Sequence, residues 1–170
     1  MEQQPRVPTV REIMTRKLVT LRPEMAALDA AELLLKKGIS GAPVVDDEGH
    51  LLGLLSEYDC LRTTASADYE MDSHDAIELV GDLMSKECLT VTPETNLFTL
   101  AHEFVERRVR RFPVVENGKL VGQVSRRDAL RSAVKLRRAM GWQSRYSEPT
   151  SSRYPDYPAG RAPIRHYPRD

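Results

Sequence analysis

The sequence predicts an α+β fold made of two copies of a β-α-β-β-α unit that pack as a pseudo-twofold pair. Two observations predict the units. Residues 10–62 and 80–131 align almost without gaps. Within each copy, a helical spacing of apolar residues is flanked by short apolar runs of strand length. A unit with only three strands cannot bury both faces of its sheet, so the duplication is expected to provide a shared core.

The repeat preserves the order and the identity of many residues. At a constant offset, the matched residues are Met14, Thr20, Pro23, Glu24, Ala31, Pro43, Val44 and Val45 with Met84, Thr90, Pro93, Glu94, Ala101, Pro113, Val114 and Val115. After a deletion of one residue in a turn, Gly53, Ser56 and Asp59 match Gly122, Ser125 and Asp128.

The first half of the first unit predicts a strand followed by a helix. The segment 18–21 is short and apolar, and it predicts a strand that ends before Pro23. Apolar residues then recur at intervals of three and four over 24–37, which predicts one amphipathic helix. Gly38 is expected to end that helix.

The second half of the unit predicts a hairpin and a helix. The strands 42–45 and 51–55 are joined by a turn in which Gly49 can take the positive φ of a tight hairpin. Ser56 follows and can cap the next helix, with Asp59 one turn into it. The second unit repeats this order, and Asn117-Gly118 is an even stronger hairpin signal.

These elements predict six segments along the chain. An acidic body carries the repeats, and the residues after 142 are rich in Pro, Ser, Tyr and Arg with few aliphatic residues to bury, which predicts disorder. The segments are an N-terminal arm at 1–9, the first repeat at 10–62, a polar linker at 63–79 that becomes helical from His74, the second repeat at 80–131, a helix extension at 132–142 and a disordered basic tail at 143–170.

Composition excludes several classes of protein. The chain has 25 basic and 25 acidic residues, no apolar run of membrane-spanning length and no apolar leader near its first residue, so we expect a cytoplasmic protein with no membrane association. Nucleic acid is expected at most at the basic tail. The two cysteines and four scattered histidines predict neither a disulfide framework nor a metal site. No nucleophile elbow, phosphate loop or spaced carboxylate pair is present, so we expect no catalytic residues and no catalytic cofactor.

With these elements in place, the chain resembles the cystathionine β-synthase (CBS) domain family. The resemblance rests on APVVDDEGHLLGLLSEYD in the first repeat and FPVVENGKLVGQVSRRD in the second, and it extends over residues 10–131. It implies a tandem pair, or Bateman module, with two clefts between the repeats. The resemblance also implies that the module is not catalytic, that it forms a homodimer, and that its clefts bind AMP, ADP, ATP or S-adenosyl-methionine.

Two Ser–Asp pairs are the candidate ligand contacts. An Asp in the first turn of a helix can accept hydrogen bonds from both ribose hydroxyls, and a Ser at the positive end of the helix suits a phosphate. Ser56 with Asp59, and Ser125 with Asp128, have this arrangement. The alternative is that each pair only caps its helix.

The resemblance also points to an apolar slot for adenine in each cleft. The residues it implicates are Thr20, Ile39 and Ala42 in one cleft and Thr90, Val109 and Phe112 in the other. For all six, packing in the core is the alternative.

An asymmetry precedes the second Pro-Val pair. RRVRRFPV contains Arg110 and Arg111 where KKGISGAPV has Ser40 and Gly41. The resemblance implies that this loop reaches the phosphates of a nucleotide held by the other repeat, so both arginines are expected to face the cleft of Ser56 and Asp59. One strong and one weak or empty site are then expected. The alternative is a solvated basic helix end.

The sequence therefore predicts a regulatory module that senses an adenosyl ligand and acts on a partner protein whose identity it does not reveal. A constitutive dimerisation scaffold with empty clefts is the alternative, and an enzyme is disfavoured by the missing motifs.

Overall fold

The computed structural model describes residues 5–66 and 78–142, which form an α+β fold of two similar halves. The long helices and the hairpins follow the predicted order, but a short helix that was not predicted precedes them in each half. Each half contributes one two-stranded antiparallel sheet. The elements are α1 (Val10–Ile13), α2 (Ala27–Lys37), β1 (Gly41–Val45), β2 (Leu51–Ser56), α3 (Glu57–Ser66), α4 (Val80–Leu83), α5 (Leu97–Arg107), β3 (Arg111–Glu116), β4 (Lys119–Ser125) and α6 (Arg126–Ala139).

The first long helix ends where the sequence predicts, but it begins three residues later. Gly38 adopts a left-handed φ of 62° and ends α2, as glycine does without a steric cost. The predicted start at Glu24 is wrong because the backbone at the helix entrance is held by the segment before α4. The N–H of Ala27 donates to the carbonyl of Glu78 at 2.8 Å, so Ala26 remains extended.

Both hairpins form with the predicted turns. In the second hairpin, Asn117 and Gly118 have φ values of 51° and 79°, the pair of positive angles that a tight two-residue turn requires. In the first, Gly49 has a φ of 86°, and Asp46 accepts hydrogen bonds through Oδ1 from the backbone N–H groups of Glu48 and His50. Asp46 therefore serves the turn, as expected of an Asp in this position.

The predicted first strand of each unit is reduced to a single bridge. Leu21 pairs in parallel with Val44, and Val91 pairs likewise with Val114. The N–H of Leu21 donates to the carbonyl of Pro43, but the next bond of a parallel ladder would need an N–H on Pro43 itself. Proline has none, so the ladder cannot continue toward Leu18.

The structure has two cores in place of the predicted shared one, and each core is completed by the other half. Val10 and Met14 lie in the core of the second half, with Leu97, Leu100 and Val124 among their neighbours. In the same way, Val80 and Leu83 lie in the core of the first half.

Backbone hydrogen bonds hold each of these exchanged segments against the sheet of the other half. Thr15 bonds with Gln123 on β4, and Ser85 bonds with Leu54 on β2, through pairs of 2.8 to 3.0 Å. The two hairpin tips also meet, since the N–H of Leu120 donates to the carbonyl of Gly49 at 2.9 Å. The two halves are thus joined along their sheets as well as through their cores.

Three predictions fall partly or wholly outside the described residues. Helix α3 extends to Ser66, so the predicted linker begins as helix. The predicted helix from His74 and the predicted disordered tail at 143–170 lie outside the described ranges, apart from the last residues before α4.

Candidate functional site

A cavity of about 370 Å³ lies between the two halves, where the start of α3 faces the start of β3. Its polar surface combines a helix N-terminus, two arginines and the carboxylate of Glu57. The lining residues are Ser40, Gly41, Ala42, Leu54, Leu55, Ser56, Glu57, Tyr58, Arg110, Arg111 and Gln123.

Arg110 and Arg111 enter the cavity at the beginning of β3. Nη2 of Arg111 donates to Oγ of Ser40 at 3.1 Å, across 71 residues of sequence. Arg110 is exposed, so its guanidinium is accessible from solvent. The two arginines and Ser56 therefore line one cavity, and a bound phosphate would find bidentate donors on one side and a helix N-terminus on the other.

Ser56 and Asp59 form a capping pair at the start of α3. Oδ2 of Asp59 accepts from the N–H of Ser56 at 2.9 Å and from its Oγ at 2.6 Å. Asp59 is buried, with 7% of its surface exposed, although it belongs to no apolar cluster. The capping alternative is thus realised in the geometry, with both bonds to Oδ2. Ser56 lines the cavity, whereas Asp59 is not among its lining residues.

Ser125 and Asp128 repeat the arrangement at the start of α6. Oδ2 of Asp128 accepts from the N–H of Ser125 at 3.0 Å and from its Oγ at 2.5 Å. Here Oδ1 of Asp128 also lies 3.4 Å from Nη1 of Arg131, one turn further along the helix. A ligand at Asp128 would share Oδ1 with the guanidinium of Arg131.

Five of the six residues expected around adenine fall into three groups. Ile39 and Val109 are partly buried against the two cores. Thr20 and Thr90 are exposed, each just before the residue that bridges to the sheet. Ala42 lines the cavity and is also buried in the core of the first half, with 2% of its surface exposed.

Phe112 belongs to the core of the second half. Only 1% of its surface is exposed, and its ring centroid lies 4.8 Å from that of Phe104. Phe112 therefore packs in the core, where its ring has an aromatic partner, and the expectation that it lines an adenine slot is wrong.

Sequence reasoning missed four polar side chains of the cavity: Ser40, Glu57, Tyr58 and Gln123. Ser40 was visible as the residue aligned with Arg110, but nothing in the alignment showed that it would meet Arg111. Tyr58 is an exposed aromatic residue one position before Asp59, off the apolar face of its helix. An exposed aromatic side chain beside a capping pair was the available signal.

Neither cysteine shows the features of a reactive thiol. Burial raises the pKa of Cys60, with the carboxylate of Asp59 adding to the effect, and burial also raises the pKa of Cys88. In the described parts of the chain, no three Asp, Glu, His or Cys side chains are grouped so that they could hold a metal ion.

Within residues 5–66 and 78–142, no helix combines the length and the apolar composition that a membrane crossing requires. The cytoplasmic location stays a prediction.

Comparison with known proteins gives two matches to one family model, that of the CBS domain, at residues 10–66 and 80–135. CBSX1, a chloroplastic CBS domain-containing protein of Arabidopsis thaliana, is 37% identical over 156 aligned residues, which cover 77% of this chain and 66% of that protein. The inosine-5'-monophosphate dehydrogenase of Aquifex aeolicus is 32% identical, but only 22% of that enzyme is covered. The chain thus spans just under two thirds of CBSX1 and a small part of the dehydrogenase.

Among solved structures, the crystal structure of CBSX2 in complex with AMP has a TM-score of 0.67 at 36% identity, covering 76% of this chain and 98% of that one. A second structure of CBSX2 from Arabidopsis thaliana has a TM-score of 0.65 at 34% identity, covering 78% and 99% of the two chains. The duplicated unit, the capped helices after each hairpin and the family matches at both positions agree, and this chain belongs to the CBS domain family as a tandem pair of CBS repeats.

Proposed function

We propose that this chain is a non-catalytic regulatory module that binds an adenosine nucleotide in the cavity between its repeats and acts on a partner protein. The observation that carries the proposal is the convergence of Arg110, Arg111 and the capped start of α3 on one cavity. The complex of CBSX2 with AMP supports the ligand class, because that protein has the same fold at 36% identity.

The phosphate end of the ligand would lie between the arginines and α3. A guanidinium group offers two parallel donors that fit a phosphate, and the first turn of a helix offers backbone N–H groups and a positive dipole. The hydrogen bond from Arg111 to Ser40 holds its guanidinium at the cavity before a ligand arrives. Preorganisation of this kind reduces the entropy that binding must overcome.

The ribose would be held by Asp59. Its capping bonds occupy Oδ2, which leaves Oδ1 as the oxygen assigned to the ribose hydroxyls. Thr20, Ile39 and Ala42 would border the adenine, since the bridge from Leu21 to β1 brings the segment ending at Thr20 beside this end of the sheet.

The second cleft, at Ser125 and Asp128, would bind more weakly. Arg131 competes for Asp128, and both Arg110 and Arg111 line the cavity of Ser56 instead. Ser40 and Gly41 line that same cavity, so the expectation that they serve the cleft of Asp128 is wrong. We therefore expect one strong site per chain, with Thr90 and Val109 bordering the weaker one.

The protein would act as a homodimer. Large apolar side chains on the outer faces of the helices have between 61% and 74% of their surface exposed, which is typical of an association surface: Leu28, Leu35, Leu61, Phe98, Val105 and Leu130. A ligand that changes the relation between the repeats would change the surface that the dimer presents to its partner.

Calorimetric titration with AMP and adenosine tests the phosphate assignment. Arg111→Ala should weaken AMP binding by roughly 10-fold to 100-fold, the cost of about 1.5–3 kcal/mol for hydrogen bonds to a charged group, and should leave adenosine binding unchanged. The matched control is Arg107→Ala, since Arg107 pairs with Glu103 and is not a lining residue of the cavity. Equal losses for AMP and adenosine would show that Arg111 does not contact the phosphate.

A thermal-shift screen with AMP, ADP, ATP and S-adenosyl-methionine tests the ligand class, using Asp59→Ala and Asp128→Ala beside the parent protein. A ligand-dependent rise in melting temperature that Asp59→Ala abolishes, and that Asp128→Ala largely preserves, supports the stronger site. If no adenosyl compound shifts the transition, the clefts are empty and the chain is a dimerisation scaffold.

A further inference from the structure

The cavity between the repeats contains a carboxylate where the phosphate of a nucleotide is expected. Among the described residues that line it, Glu57 is the one acidic residue, and Arg110 and Arg111 are the basic ones. Glu57 is exposed and is the first residue of α3. Within the described parts of the chain, it takes part in no ion pair. Its negative charge is therefore not neutralised by a direct contact with a basic side chain.

The backbone of Glu57 does not offset this charge. Its N–H donates to the carbonyl of Ser40 at 3.2 Å, so the first amide of α3 already has an acceptor within the protein. What Glu57 adds to the cavity is its side chain, and a carboxylate repels a phosphate.

The second repeat has the opposite charge at the matching position. Arg126 is the first residue of α6, and its N–H makes the equivalent bond of 3.2 Å to the carbonyl of Arg110. The two backbones are thus held alike, and the difference lies in the side chains. Nε of Arg126 donates to the carbonyl of Val109, and Arg126 is not a lining residue of the cavity. Because the fold accepts either charge at the start of this helix, a carboxylate at residue 57 is not a requirement of the fold.

We infer that Glu57 limits the number of phosphates that the cavity accepts, so that a nucleoside monophosphate binds more tightly than the corresponding diphosphate or triphosphate. The inference rests on the nucleotide site proposed above and specifies its ligand. Arg110 and Arg111 supply two positive charges, which match the charge of one phosphate group. Each further phosphate adds negative charge that the arginines no longer balance and that Glu57 repels. A fixed repulsive charge is a common means of rejecting a ligand that is otherwise similar.

The size of the cavity acts in the same direction. Its volume of about 370 Å³ is near the lower end of the range of roughly 300–1,000 Å³ that small-molecule sites occupy. A longer chain of phosphates must therefore share this small space with the side chain of Glu57. Charges closer than the Debye length, about 10 Å at 0.1 M salt, are only partly screened, so the repulsion is felt by every phosphate in the cavity.

Calorimetric titration of the full chain with AMP, ADP and ATP, in low salt with EDTA, measures this selectivity. The parent protein should bind AMP more tightly than ADP, and ADP more tightly than ATP. Glu57→Gln should reduce the ratio of the AMP and ATP affinities about 3-fold to 10-fold, with ADP between them. Glu57→Arg, which copies the residue of the second repeat, should reduce the ratio further. Glu57→Asp keeps the charge and should keep the order of the three affinities.

The outcomes separate this inference from the site on which it rests. A parent protein that binds ATP as tightly as AMP would overturn the inference, and so would a change by one common factor for all three nucleotides in Glu57→Gln. Either result would leave the proposed nucleotide site in place. If none of the three nucleotides binds the parent protein, the proposed site itself is wrong.

The matched control is Glu32→Gln, which removes the same charge from an exposed position on α2 that does not line the cavity. It should leave the ratio of the AMP and ATP affinities near that of the parent protein. An equal change in this control would mean that the net charge of the protein, and not Glu57, governs the ratio.

A second series, with Mg²⁺ in place of EDTA, distinguishes repulsion from the opposite role for the carboxylate. A carboxylate can also hold a triphosphate by sharing its Mg²⁺. If Glu57 acts by repulsion, Glu57→Gln should still strengthen ATP binding relative to AMP binding in Mg²⁺, although by less, because the cation neutralises part of the charge of the phosphates. If Mg²⁺ instead makes ATP the tighter ligand of the parent protein, and Glu57→Gln removes that gain, Glu57 binds the cation and the inference is overturned.

Discussion

Arg111 reaches from the first residue of β3 to Ser40, the residue before β1, and their side chains meet at 3.1 Å. This contact joins the two repeats at the cavity and sets the position of the guanidinium.

Removing the hydroxyl of Ser40 should reduce nucleotide affinity without removing the charge that binds it. We expect Ser40→Ala to weaken AMP binding about 2-fold to 10-fold, the value of one ordinary hydrogen bond, in a calorimetric titration. In an Arg111→Ala background the same substitution should have no further effect. An equal loss in both backgrounds would show that Ser40 acts on the ligand directly.

The glycines of β2 and β4 should not tolerate a side chain. A Cβ on Gly53 would lie 2.7 Å from Sδ of Met84 and 2.8 Å from the carbonyl oxygen of Ser85, and a Cβ on Gly122 would lie 2.7 Å from Sδ of Met14. Gly53→Ala and Gly122→Ala should each lower the free energy of unfolding by about 1–3 kcal/mol, as overpacking does. Urea denaturation measures this, with Glu32→Ala on the exposed face of α2 as a control that should be near neutral.

Acid should release the attachment of the N-terminal segment to the second repeat. Arg11 bridges Glu94 and Glu116, and its hydrogen bond holds the pKa of Glu94 below the ordinary value of 4.5. Because the folded pKa is the lower one, ionised Glu94 favours the fold fully above 4.5, and the contribution disappears as the pH falls through the lowered pKa. The stability difference between the parent and Glu94→Gln should therefore be largest near neutral pH and disappear as the pH falls below the lowered pKa of Glu94. A difference that is independent of pH would contradict the ion pair.

Cys60 should react slowly with alkylating reagents. Burial raises the pKa of its thiol, and the thiolate is the species that reacts. In a Cys88→Ser background, we expect iodoacetamide to modify Cys60 more slowly than it modifies glutathione at neutral pH, with the rate rising steeply in alkali. Mass spectrometry follows the reaction, and a rate equal to that of glutathione would show that the thiol is freely solvated.

Much of the fold could be predicted because its signals are local. Gly38 ends α2 and Asn117-Gly118 turns the second hairpin, since each requires a backbone conformation that few other residues adopt. Ser56 and Asp59 cap α3 as their spacing indicates. The shortening of the first strand could also have been predicted from the sequence, because Pro43 and Pro113 have no N–H to donate to a ladder of hydrogen bonds.

The exchange of segments could not be predicted in the same way. Alignment shows that Val10 and Met14 correspond to Val80 and Met84, but it cannot show on which copy of the sheet each segment packs, because the two sheets are themselves alike. The meeting of Arg111 with Ser40 has the same origin. When a segment could pack on either of two similar surfaces, no local pattern in the sequence shows which one it contacts.

The exchanged segments have a consequence for how the chain melts. Val10 in one core and Val80 in the other are both fully buried. Opening either repeat therefore also exposes apolar side chains that the sequence of the other repeat supplies. The pair is then one cooperative unit, and calorimetry should record a single transition whose van't Hoff and calorimetric enthalpies agree. Amide protons in both cores would exchange through the same global opening, and a nucleotide held in one cleft would slow that exchange on both sides of the molecule.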